Sequence, residues 1–131
     1  MKTFSQGDII WMDFNPQAGH EQAGRRPALV VSRSKFNATG ALTMVCPITN
    51  TMSRRALRPE LPSGLQTKGC ILCDHARFVD LAVRNAEFRE VAPKEVVQAS
   101  LSIIQALLAP DESITPQLKL GACGENLTGP D

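Results

Sequence analysis

The order of elements in this sequence predicts a mainly β protein, a small and strongly bent barrel completed by one C-terminal helix. Short apolar, β-branched runs recur as far as Val91, turn residues separate them, and no helix-length pattern intervenes. A helical stripe then follows Pro93.

Each element can be justified in turn. Gly7 to Phe14 is an apolar and aromatic run after a glycine, predicted as the first strand and ending at the turn Asn15-Pro16. Gln17 to Arg25 places Gly19 and Gly24 among polar residues and alanine, a loop pattern that carries Glu21. Pro27 to Ser32 is nearly continuous in apolar character, as in a strand buried on both faces. Ser34 to Gly40 turns the chain. Ala41 to Ile48 predicts a third strand, with Pro47 expected at an edge or a strand end because it has no N–H to give a ladder. Thr49 and Asn50 follow directly.

Thr51 to Lys68 is rich in Arg, Pro, Ser and Gly and reads as a long basic loop with a hairpin, including a short strand around Pro59-Glu60-Leu61. Gly69 to Phe78 begins apolar and turns polar, the pattern of one strand running out to a functional edge, and Ala86 to Val91 supplies the last strand. Pro93 is predicted as the first helical residue, where its missing N–H needs no partner. Val97, Leu101, Ile104 and Leu108 form the stripe, widened by Val96, Ile103 and Leu107, and Pro110 ends the helix. Residues 1–108 thus form one predicted domain, and 109–131, punctuated by Gly and Pro, a C-terminal extension.

At 131 residues the chain supports a single core, and with 43% hydrophobic and 21% charged residues it is too apolar for a disordered chain. No apolar run approaches the roughly 20 residues that span a bilayer, and Met1 to Gln6 has no apolar segment of the secretory type, so a cytoplasmic location without membrane contact is expected. Cys46, Cys70, Cys73 and Cys123 are too sparse for a disulfide framework and read as reduced thiols.

The net charge of +1 hides an uneven distribution. No acidic residue lies between Glu21 and Glu60, while Arg25, Arg26, Arg33, Lys35, Arg54, Arg55 and Arg58 all do. Such an interval suits phosphate-backbone binding or another polyanion, and Trp11, Phe14 and Phe36 are the few aromatics near it. The chain has no Walker-type phosphate loop, no His-Glu-x-x-His helix and only two histidines, His20 and His75, which excludes kinase, ATPase and metalloprotease readings. Cys70-x-x-Cys73 lacks a second ligand pair, and residues three apart on a strand face opposite ways, so no metal is expected there. His75 beside Asp74 suits an acid–base pair, but neighbours on a strand face opposite ways, and a partly exposed histidine without a role is at least as good a reading.

The first third of the chain is more specific. Gly7-Asp8-Ile9-Ile10-Trp11-Met12-Asp13-Phe14-Asn15-Pro16 and Gly19-His20-Glu21-Gln22-Ala23-Gly24-Arg25-Arg26-Pro27-Ala28-Leu29-Val30-Val31-Ser32 resemble the signature of the MazF/PemK toxins. Pro47-Ile48-Thr49-Asn50 resembles the family's second motif, Gly69 to Asp74 its third, and Ala92-Pro93-Lys94-Glu95 the start of its helix. The resemblance implies an SH3-like, plasmid-maintenance-toxin barrel, a homodimer, a cognate antitoxin, and sequence-selective cleavage of single-stranded RNA without metal or other cofactor.

Carried over by position, the resemblance makes Arg26 the catalytic arginine and Thr49 the hydroxyl beside the scissile phosphate. The residue types suit the chemistry, since an arginine forks onto two phosphate oxygens and stays charged, and a threonine adds a hydroxyl hydrogen bond. The proton acceptor stays open between Glu21 and Asp74. In the PemK-like branch an arginine stands two residues before the aspartate, whereas Leu72 stands there in this chain, and Arg77 is the nearest substitute. Arg25, Asn50, Arg54, Arg55 and Arg77 are the expected RNA contacts. Two other functions fit the same barrel: a non-catalytic toxin that grips DNA gyrase, and a plain RNA-binding module. Base selectivity is expected to reside in the loops around Glu21 and from Thr51 to Lys68.

Overall fold

The computed structural model describes residues 3–14, 24–51 and 57–113. Strands β1 (Asp8–Asp13), β2 (Arg25–Val30), β3 (Leu42–Thr49), β4 (Cys70–Ile71), β5 (Arg77–Asp80) and β6 (Glu87–Val91) form one bent antiparallel sheet. Its order is β4-β3-β2-β1-β6, with β5 also pairing β3. One helical turn, α1 (Ser34–Asn37), lies within the expected turn after β2, and α2 (Lys94–Leu107) closes the fold. The mainly β reading with a C-terminal helix holds.

Period-two alternation on the central strands buries apolar residues on both faces. Ile10, Met12, Phe14, Ala28, Val30 and Val45 point one way, into a core with Phe4, Val79 and Leu81. Ile9, Leu29, Val31, Cys46, Ile48 and Ile71 point the other way and meet Val96 and Ile104 of α2. Each large side chain removed from water there contributes roughly 1.5–3 kcal/mol, which is why the helix docks on this face. Pro93 sits one position earlier than expected, as the cap residue. Leu108, placed in the stripe by its spacing, lies past the last turn and is 74% exposed.

Two prolines decide where the ladders stop. Leu72 N–H donates to the Pro47 carbonyl at 2.8 Å, so Pro47 turns its backbone polar groups toward β4. In an antiparallel ladder such a pair exchanges two bonds, and Pro47 has no N–H to return. Accordingly β4 ends at Ile71. The expected single strand from Gly69 to Phe78 is therefore broken into β4, a 3-10 turn (Cys73–His75) and β5. Ile48 pairs with Ile71 and Val45 with Arg77, so three steps along β3 correspond to six in its partner, and the turn takes up the excess. Pro47 itself is buried in a central strand, not at an edge, because its missing donor falls where the partner leaves the ladder. The strand expected around Glu60 reduces to a single bridge with Cys70.

The outer edges are tied by side chains. The backbone N–H groups of Gln66 and Thr67 and the Thr67 hydroxyl all donate to the Glu90 carboxylate, at 2.7–3.0 Å, linking the segment before β4 to β6. Burial pushes the Glu90 carboxyl up, but these three donors outweigh it and hold it below the usual range. Cys46, Cys70 and Cys73 are buried free thiols. Cys73 lies in the turn and not on a strand, so alternation does not govern it; it meets Cys46 across the core, and that hydrogen bond together with burial pushes the Cys46 thiol up.

Candidate active site

The second proline opens the site. Leu29 pairs with Cys46 and Ala28 with Pro47, but the β2–β3 ladder goes no further. Val31 N–H donates to Met44 at 3.0 Å, which fixes the phase: odd-numbered residues of this stretch turn their backbone groups toward β3. The next donor should be Pro27, which has none. Beyond that point Pro27, Arg26 and Arg25 pair with β1 alone, while Ile48 and Thr49 pair with β4 alone. We call this ladder end the notch; Arg26 flanks it on β2 and Thr49 on β3. Arg26 is in phase with Ala28 and Val30, and Thr49 with Val45, so both side chains belong to the same face.

Thr49 is buried, and its Oγ1 accepts the Thr51 N–H at 3.2 Å, which holds the oxygen and leaves the hydroxyl proton to be donated. Its backbone is clamped by Gly69. A Cβ at Gly69, where φ is +121°, would lie 1.9 Å from the Thr49 carbonyl oxygen, so only glycine permits β4 to start this close to β3.

Neighbouring side chains divide between the faces. Arg25, adjacent to Arg26, points oppositely and binds Asp13 at 3.0 Å and Glu87 at 2.5 Å. Hydrogen bonds from Asn85 and Arg25 hold the Asp13 carboxyl below its usual range. Arg77 lies with the Arg26 face: its guanidinium carbon stands 5.0 Å from the Phe14 ring centroid, and Nη2 reaches the Phe14 carbonyl at 3.5 Å. Asn50 is exposed just past Thr49. Glu21, His20, Arg54 and Arg55 lie outside the described residues, as does Cys123. The ends of the Glu21 segment are joined at the notch by Phe14 N–H to the Gly24 carbonyl, 2.9 Å.

Asp74 lies in the 3-10 turn that follows β4. From Cys70, opposite Thr49, β4 runs back along β3 into that turn. The arginine missing at position 72 is supplied by Arg58, whose Nε and Nη2 donate to the two Asp74 oxygens at 3.1 and 3.0 Å. Arg77, the substitute expected from the sequence, is with Phe14 instead. Arg58 was visible only as part of the basic interval, because a partner sixteen positions away follows no local spacing. Its hydrogen bonds, working against partial burial, hold the Asp74 carboxyl below the usual aspartate range. His75 Nε2 is 3.9 Å from Asp74, so the turn does bring these neighbours together, contrary to strand alternation. Among the described residues no group of three side chains suits a metal ion, and no helix is long and apolar enough to cross a membrane.

Comparison with known proteins decides the family. Residues 5–108 match the model of the PemK-like, MazF-like toxins of type II toxin-antitoxin systems. The chain belongs to this family. The endoribonuclease toxin ChpB of Escherichia coli is 37% identical over 110 residues, covering 80% of this chain and 94% of the relative. Among solved structures, MazF from Deinococcus radiodurans superposes with a TM-score of 0.78 at 37% identity, covering 82% of this chain and 98% of that one. A MazE-MazF complex from the same organism gives 0.73 over 82% and 97%. The bent sheet with its C-terminal helix is thus the fold of the MazF toxins, and the notch is formed by two of the blocks that carried the resemblance.

Proposed function

We propose that this family member is the toxin of a type II toxin-antitoxin pair and cleaves single-stranded RNA at the notch, without a metal. The observation that carries the reading is the convergence of Arg26 and Thr49 on one face where β2 and β3 part. The RNA 2′-oxygen attacks the adjacent phosphorus while the bond to the 5′-oxygen breaks, giving a 2′,3′-cyclic phosphate and a free 5′-hydroxyl. Arg26 forks onto the phosphorane oxygens and Thr49 donates its hydroxyl to the charge that develops there. The 2′-hydroxyl proton passes to a carboxylate, and water supplies the proton that the leaving 5′-oxygen takes up.

Glu21 is the better acceptor of the two carboxylates. Asp74 is tied by Arg58 and held below its usual pKa, which makes it a weak base. Arg77, Asn50, Arg54 and Arg55 contribute phosphate and base contacts, whereas Arg25 serves mainly to hold β1, β2 and β6 together. The toxin works as a homodimer. An edge-to-face pair, Phe36 and Phe78, remains 44% and 52% exposed and supports a second copy on that edge. An acidic antitoxin segment suits the basic surface and would cover the notch.

The test is cleavage of a single-stranded RNA in excess EDTA. Products with cyclic phosphate ends, and resistance of a substrate carrying 2′-deoxy at the cut, are the expected result. Intact RNA, or equal cutting by Arg26→Ala, would sink the proposal.

A further inference from the structure

A pocket of about 190 Å³ opens at the same strand ends but on the opposite face of the sheet, lined by Trp11, Pro27, Asn50, Gln66, Thr67, Lys68 and Arg89. Its position follows from alternation: Pro27 succeeds Arg26 and Asn50 succeeds Thr49, so each residue of the proposed phosphate-handling pair has its chain neighbour in the pocket.

The pocket is built by a bulge. Ile9 pairs with Glu90 but Ile10 pairs with Phe88, which leaves Arg89 without a residue opposite it. Bulges re-aim side chains, and this one swings the Arg89 guanidinium over the Trp11 ring, 4.8 Å from its centroid. Glu90, in register with Ile9, fixes Gln66 and Thr67 as the pocket's wall. Arg89 Nη2 reaches the Gln66 carbonyl at 3.4 Å, whereas its Nε is buried with no hydrogen-bond partner among the described residues. A buried donor without an acceptor is unfavourable, which marks the pocket as incomplete. The side chains of Asn50, Gln66 and Lys68 likewise make no hydrogen bond among the described residues.

We propose that this pocket receives one nucleobase of the RNA, next to the scissile phosphate, and that it prefers a keto base, uracil or guanine. The inference rests on the cleavage reading for its substrate class. The base stacks on the Arg89 guanidinium, which the Trp11 ring backs from behind. The Lys68 ammonium is a donor only, so it fits the carbonyl edge of uracil or guanine and meets the amino groups of cytosine and adenine unfavourably. The Asn50 and Gln66 carboxamides complete the edge, each with a donor and an acceptor.

Trp11 is the chain's sole tryptophan, and the chain has no tyrosine, so its emission reports on the pocket alone. The full-length protein is titrated with oligonucleotides that carry 2′-deoxy at the cut and differ in one base, while binding is followed separately by anisotropy of a labelled strand. Expected are a change in Trp11 emission that tracks binding and a preference of about tenfold for uracil or guanine over cytosine or adenine at one position. In Lys68→Ala and Asn50→Ala that preference falls toward unity while the emission change persists on binding. Binding by anisotropy with unchanged Trp11 emission, or a base preference unaltered in both variants, overturns the pocket even if RNA is cleaved. Conversely, a base-dependent Trp11 signal with no cleavage of ordinary RNA upholds the pocket and defeats the catalytic reading.

Discussion

Pro27 and Pro47 apply the same device at two places in the sheet, and the results differ. Each occupies a position where the antiparallel ladder calls for a donor, and each ends a ladder. At Pro47 the departing chain folds at once into a 3-10 turn whose Asp74 takes Arg58 in a two-point ion pair. Backbone and charge are both satisfied there. At Pro27 no turn fills the gap: β2 and β3 continue as strands bound to other partners, with Arg26 and Thr49 flanking the ladder end. A missing N–H by itself makes only a break. A site needs functional side chains in phase on both sides of the break and backbone support that keeps it open.

The largest expected effect separates adjacent arginines across the two faces. Arg26→Ala should lower the cleavage rate by about 10²–10³-fold, the scale for removing one donor to a developing oxyanion, with little change in melting temperature. Arg26→Lys should recover only part of it, because an ammonium cannot fork onto two oxygens. Arg25→Ala should do the reverse, losing about 1 kcal/mol of stability with its two ion pairs while keeping most activity. Equal activity losses in both variants would dissolve the contrast between the faces.

Next comes the support of the notch. Gly69→Ala forces a Cβ into the Thr49 carbonyl at a positive φ, so β4 must withdraw from β3. Destabilisation of roughly 2–3 kcal/mol by chemical denaturation is expected, with an activity loss greater than the folded fraction explains. Gly64, also at positive φ but with open space around its would-be Cβ, is the control and should cost less on Ala substitution.

The fold was legible because its signals are local. Apolar runs, the Pro93 start and the helical stripe each mark one element, and the two cores follow from alternation. Arg26 and Thr49 were legible as motif residues, but their meeting on one face depends on a register that no local pattern states. The broken strand after Gly69 was not legible, since its cause, Pro47, lies on a different strand. Nor was the Arg58–Asp74 pair, for sequence spacing pointed to Arg77 and the loop connection brought Arg58 instead. The Arg89 bulge escaped because a single skipped residue leaves the apolar alternation of β6 merely imperfect.

The smallest expected effect tests the structural assignment of the Pro47 region. Asp74→Asn should cost at most about 1 kcal/mol, since the pair with Arg58 is only partly buried, with side chains 15% and 25% exposed. The sign with pH is fixed by direction. Asp74 is held below its usual value of 3.8 by Arg58, so its contribution is complete above the unfolded-state pKa and is lost as pH falls through the folded one. The stability gap between wild type and Asp74→Asn should therefore be constant from neutral pH down to about 4 and close below it. The acid limb of the pH-rate profile should be unmoved in Asp74→Asn and abolished in Glu21→Gln. If Asp74→Asn instead removed that limb, the carboxylate beside Arg58 would be the proton acceptor. The two proline breaks would then belong to one active site.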